Sequence, residues 1–180
     1  MRRALPFLAL FAAFAAGCGG SDSSSPTTAA DWSAGYCGAA TTWVTALTAA
    51  RASVKPSDPA ATASDAAQQM TDESNTFIQA VDALGAPDTP NGSTSQESAK
   101  SLSTTLSGRV ARVSAAIDTN NADVTEAQSA KVVRDQVTAS LTDVETTTAQ
   151  IAKDDPEVGS AMDAESSCGD LQTALSAAAS

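Results

Sequence analysis

Three thiols are the side chains of this sequence most capable of chemistry: Cys18, Cys37 and Cys168. A cysteine sulfur can carry a lipid, close a disulfide, hold a soft metal or attack an electrophile. The last two roles need company. A nucleophilic thiol wants an adjacent base, and the commonest base and metal ligand is histidine, of which the chain has none. Acidic residues number 21, so carboxylate pairs for general acid–base work are many and none is distinguished. Neighbours such as Asp72 and Glu73 point about 100° apart on a helix and do not converge on one ion. Asp154, Asp155 and Glu157 read as negative charge at a helix N-terminus in preference to a weak divalent-cation site. The expectation is a protein that is not an enzyme and has neither cofactor nor metal centre.

Cys18 has a context of its own. Met1-Arg2-Arg3 is a short basic start, and Leu5 to Ala16 is an apolar run interrupted only by Pro6. About 12 helical residues rise about 18 Å, against a hydrocarbon core of about 30 Å. The run therefore reads as the apolar region of a signal peptide, with the general secretory route preferred to the twin-arginine one. It ends Ala15-Ala16-Gly17-Cys18, which resembles the lipobox of bacterial lipoproteins. The resemblance covers the first 18 or so residues, with Ala15 standing where that family usually has Leu. It implies signal cleavage between Gly17 and Cys18 and a diacylglyceryl group on the Cys18 sulfur. Two acyl chains anchor a protein stably where one binds marginally, at about 0.8 kcal/mol per buried methylene. The implied location is the outer face of the cell membrane, lipid-anchored, with the membrane as partner through Cys18. Abundant Ala, Ser, Thr and Asp are similar to the usage of high-GC Gram-positive bacteria. The alternative is an ordinary secretory signal with a chance cysteine.

The same reading divides the chain into a signal peptide at 1–17, a tether at 18–30 and a domain at 31–180. Gly19 to Ala30 is rich in Gly, Ser, Thr and Pro and behaves as a flexible chain spanning about 20 Å. Its Ser, Thr and Pro also suit O-linked sugar. With Cys18 lipidated, Cys37 and Cys168 are the two cysteines left, in an oxidising compartment and near opposite ends of the domain. A disulfide between them closes a long loop, for which chain entropy gives about 5 kcal/mol. The alternative is a free redox or nucleophilic thiol.

The elements that must position these residues read as helices. Strand-like alternation is poor, and apolar residues recur at spacings of three and four. Tyr36, Ala40, Trp43, Leu47, Ala50 and Val54 form a first stripe, with Asp31 as its cap and Pro56 and Pro59 ending it. Ala63, Ala67, Met70, Ser74, Phe77, Val81 and Leu84 form a second, closed by Gly85. Ser93 with Gln96, or Thr94 with Glu97, makes a capping box for a third, running Ala99, Leu102, Leu106, Val110, Val113 and Ile117. A fourth starts at Asp123 and Glu126 and runs Ala127, Ala130, Val133, Val137, Leu141, Val144 and Ile151. A last helix follows Pro156, with Val158, Met162, Leu171 and Leu175. The fold class expected is all-α, an up-and-down bundle of four to five helices. The turn at Asp118 to Asp123 is similar to the start of a calcium loop. However, Ala122, Asp123 and Ser129 stand where the EF-hand pattern needs Asp or Asn, Gly and Glu. It reads as a turn with a cap. Gly108 reads as close packing inside the third helix and not as part of a phosphate loop.

Beyond the signal the chain has four aromatic residues, Trp32, Tyr36, Trp43 and Phe77. Three lie on one face of the first helix. They read as the large part of a small-residue core, the alternative being an aromatic-lined groove for a peptide or apolar ligand. The formal charge is −11, falling to −13 without Arg2 and Arg3. That field repels phosphate backbones, so no nucleic-acid partner is expected. The expected role is a non-catalytic interaction or scaffold protein of the cell envelope with an envelope protein as partner. The alternative is a small-molecule or cation-binding lipoprotein with a site between helices, near Trp43 or among the acidic helix ends.

Overall fold

A computed structural model describes residues 27–55, 57–117 and 126–179. Six helices lie within them: α1 (Ala29–Ser53), α2 (Pro59–Leu84), α3 (Gly92–Ala116), α4 (Glu126–Asp154), α5 (Pro156–Ala164) and α6 (Ser166–Ala178). The described residues form no strand, only an isolated bridge between Thr27 and Pro87. The fold is an all-α bundle, as expected, with one helix more than the sequence reading allowed.

The extra helix comes from a break at Glu165. Its N–H donates to Ala161 O (3.0 Å) to close α5, while its own carbonyl accepts from Cys168 N (3.1 Å) to open α6. An unbroken helix would point Met162 and Leu171 about 180° apart, so both could not face one core. With the break, Met162 and Leu171 are both buried.

Two helix starts also differ from expectation. Thr28, and not Asp31, caps α1: Thr28 Oγ1 accepts from Asp31 N (3.1 Å) and donates to the Asp31 carboxylate (2.7 Å). Asp31 therefore sits in the first turn, where its charge faces the free N–H groups. Thr27 Oγ1 donates to Leu84 O (3.2 Å), so the bundle takes in the last residues assigned above to the tether. The start of α3 uses neither proposed capping box. Asn91 is the cap residue and makes no side-chain cap bond; its amide nitrogen donates to Asp154 O (2.9 Å). Gly92 then opens the helix because a Cβ there would lie 1.9 Å from Pro87 O. The proposed start of α4 at Asp123, and the whole Asp118–Asp123 turn, lie outside the described residues.

Elsewhere the periodicity and the burial agree. Ala63, Ala67, Met70, Ser74, Phe77 and Val81 of α2 are buried, and so are Ala99, Leu102, Leu106 and Val113 of α3. On α4 the buried stripe is Ala130, Val133, Val137, Leu141, Val144 and Ile151. Gly85 ends α2 at φ +66 and ψ −166, a positive-φ conformation open to glycine because it has no Cβ. The start of α1 lies beside the end of α2, and the start of α3 beside the end of α4. Consecutive long helices therefore alternate in direction. The last helix, α6, runs parallel to α1: Thr41 Oγ1 reaches Ser167 O (3.3 Å) and Arg51 Nη2 reaches Ala178 O (2.6 Å).

Candidate functional site

The aromatic residues on α1 and α2 form a continuous cluster. Trp32 and Tyr36 stack with ring centres 5.3 Å apart, Tyr36 meets Phe77 edge-on at 6.3 Å, and Trp43 tilts against Phe77 at 5.7 Å. Each polar handle has a partner. Trp32 Nε1 donates to Gly85 O (2.9 Å), Trp43 Nε1 donates to Ser74 Oγ (3.1 Å), and the Tyr36 hydroxyl bonds Thr148 Oγ1 (3.2 Å). All four rings are at most 1 % exposed. Buried indole and phenol groups keep such partners because an unpaired one is costly. Burial pushes the Tyr36 phenol up to about 12, the bond to Thr148 opposing the rise.

The groove reading of these aromatics meets a physical obstacle. The depression over Trp43 and Phe77, lined also by Ala39, Glu73 and Ala80, measures about 150 Å³. Pockets for small organic ligands measure about 300 to 1,000 Å³. The rings are the interior of the bundle, reached there only at their edges.

Cys37 and Cys168 are joined, with S–S 2.04 Å and Cα atoms 4.9 Å apart. The bond ties the first turn of α6 to the first half of α1. Cys18 and Gly17 lie outside the described residues.

Asp154 and Asp155 separate by function. Asp155 is 1 % exposed and caps α5, accepting from Val158 N (3.3 Å). Its other oxygen accepts from Thr89 Oγ1 and from Ser95 Oγ (3.1 Å). Its lone pairs are thus turned inward, toward the loop before α3, and Asp154 uses its backbone carbonyl on Asn91. Among the described residues, no group of three or more cysteine or acidic side chains is placed to hold a metal ion.

The larger opening is elsewhere. A cleft of about 300 Å³ lies between α4 and α6, with α5 at one end, and a second of about 220 Å³ adjoins it toward Arg51. Glu145 and Leu175 line both. The sequence reading missed this feature, because most of its α4 residues lie off the main apolar stripe. The one signal available was a second, weaker α4 row of Glu145, Thr148, Ala149 and Ala152, continuing from Leu141 of the main stripe. No helix among the described residues is long and apolar enough to cross a membrane. A scan against protein-family models, a search of curated proteins and a search of solved structures each found no match.

Proposed function

We propose that this chain is an extracytoplasmic lipoprotein, held on the outer face of the cell membrane by lipid on Cys18. Its helical bundle acts as a non-catalytic interaction or scaffold module of the envelope. The observation that carries the reading is the Ala15-Ala16-Gly17-Cys18 sequence at the end of a short apolar run, nine residues before Thr27. Thr27 is bonded into the end of the bundle made by the α2–α3 turn, through Leu84 O and Asp88 N. A lipid on Cys18 would thus tether the bundle at that end. The burial of every aromatic ring described, and the use of Asp155 as a structural cap, support a bundle built for stability over one built around a reaction.

The test is mass spectrometry of the mature protein from a host that processes lipoproteins. The expected product begins at Cys18 and carries acyl mass. Cys18→Ala is expected to abolish palmitate labelling. A mature protein that starts elsewhere, or a Cys18→Ala variant that still labels, overturns the anchor and the envelope role with it.

A further inference from the structure

We propose that the cleft between α4 and α6 binds an organic cation with an apolar body, of the alkylammonium class. Its floor is apolar, formed by the buried Met162 and Leu171 and the half-buried Leu175, with Cys168 also in the lining. Its rim carries two exposed carboxylates from different elements, Glu145 on α4 and Asp163 on α5. Neither carboxylate belongs to an ion pair among the described residues, where the pairs are Arg109 with Asp143 and Lys131 with Asp135. No basic side chain lines this cleft. The adjoining cleft has Arg51, whose guanidinium is turned to the Ala178 carbonyl.

These features select a ligand chemistry. At about 300 Å³ the cleft reaches the lower bound of small-molecule pockets, which are mostly apolar with a few polar groups that fix orientation. A short alkyl chain covers the apolar floor and releases the water over it. A primary ammonium at the rim donates charge-assisted hydrogen bonds to carboxylates that have no cation of their own. An anion of the same shape meets like charge there, in a molecule already strongly negative. Both halves of the ligand are needed, since an exposed charge pair alone contributes little.

Met162 and Met70 report on the proposal from inside the molecule. Met162 lines the cleft, whereas Met70 is sealed in the core at 0 % exposure. The experiment titrates the full chain, labelled with carbon-13 at its methionine methyls, with hexylammonium. The Met162 resonance is expected to shift and saturate while Met70 stays in place. Hexanoate, and methylammonium, which lacks the apolar body, are each expected to bind at least tenfold more weakly. Glu145→Gln combined with Asp163→Asn is expected to weaken hexylammonium at least tenfold, and Glu73→Gln, at the α1–α2 depression, to leave it unchanged. An unshifted Met70 resonance shows that the double variant keeps its fold. Equal binding of hexanoate or methylammonium, full affinity in the double variant, or a Met162 resonance that does not move overturns the proposal. The site does not depend on the membrane anchor, so either reading can fail without the other.

Discussion

Tyr36 shows what burial does to one residue. Its ring is enclosed between Trp32 and Phe77, and its hydroxyl has Thr148 as partner. Removing water disfavours the phenolate, which is why the folded value lies at about 12 while an unfolded tyrosine titrates near 10. A raised folded value means the unfolded chain loses its proton first. Stability from this residue is therefore complete below about pH 10 and is lost as pH rises toward 12, by up to roughly 3 kcal/mol. The chain has one tyrosine, so tyrosinate absorbance reports Tyr36 alone. The expected result is no tyrosinate signal at pH 10.5 in the folded protein, and a Tyr36→Phe variant that keeps its stability between pH 10 and 11. Half-ionisation at pH 10 without unfolding would show that the phenol is not shielded.

At the scale of elements, Asp155 governs the junction where α4 ends and α5 begins. Pro156 cannot donate a backbone hydrogen bond and its fixed φ suits the first helical position, so the chain can restart a helix there at once. The carboxylate then binds Val158 N of the new helix and the hydroxyls of Thr89 and Ser95, joining α5 to the α2–α3 turn and the first turn of α3. Asp155→Ala leaves those donors unpaired in a buried place. Its expected cost is about 2 to 3 kcal/mol, from the loss of a cap and of hydrogen bonds to a charged group. Urea unfolding measures the total. Hydrogen exchange is expected to show the amides of α5 losing protection first. A variant with unchanged stability would mean that the carboxylate is not a structural cap.

For the molecule as a whole, the Cys37–Cys168 bond encloses most of the bundle, with a sequence separation of 131. A loop of that length, left open in the unfolded chain, gains entropy equivalent to about 5 kcal/mol. Many core positions are alanine, including Ala40, Ala50, Ala63, Ala66, Ala67, Ala99 and Ala130, so the helices lie close but each bury little side-chain area. A cross-link therefore matters more here than in a bundle filled with leucine. Replacing both cysteines by alanine is expected to lower the unfolding free energy by about 2 to 5 kcal/mol in urea titrations, with α6 less protected against exchange. Equal stability of the double variant and the oxidised protein would rule out that role.

Sequence alone determined the helical class, the four main stripes, the glycine stop at Gly85 and the proline restart at Pro156. These are local matters, decided by period, cap chemistry and backbone freedom. The pairing of Cys37 with Cys168 was also legible, through a count of thiols that depends on the fate of Cys18. Only the tertiary structure decided whether the aromatic face of α1 is core or groove, because that turns on Ser74 of α2, Gly85 just after it and Thr148 of α4 arriving to satisfy its polar atoms. The break at Glu165 and the α4–α6 cleft belong to the same class. Periodicity says which side of a helix is covered, but not which helix covers it or how closely, and a cleft is made by the pairs that stay apart.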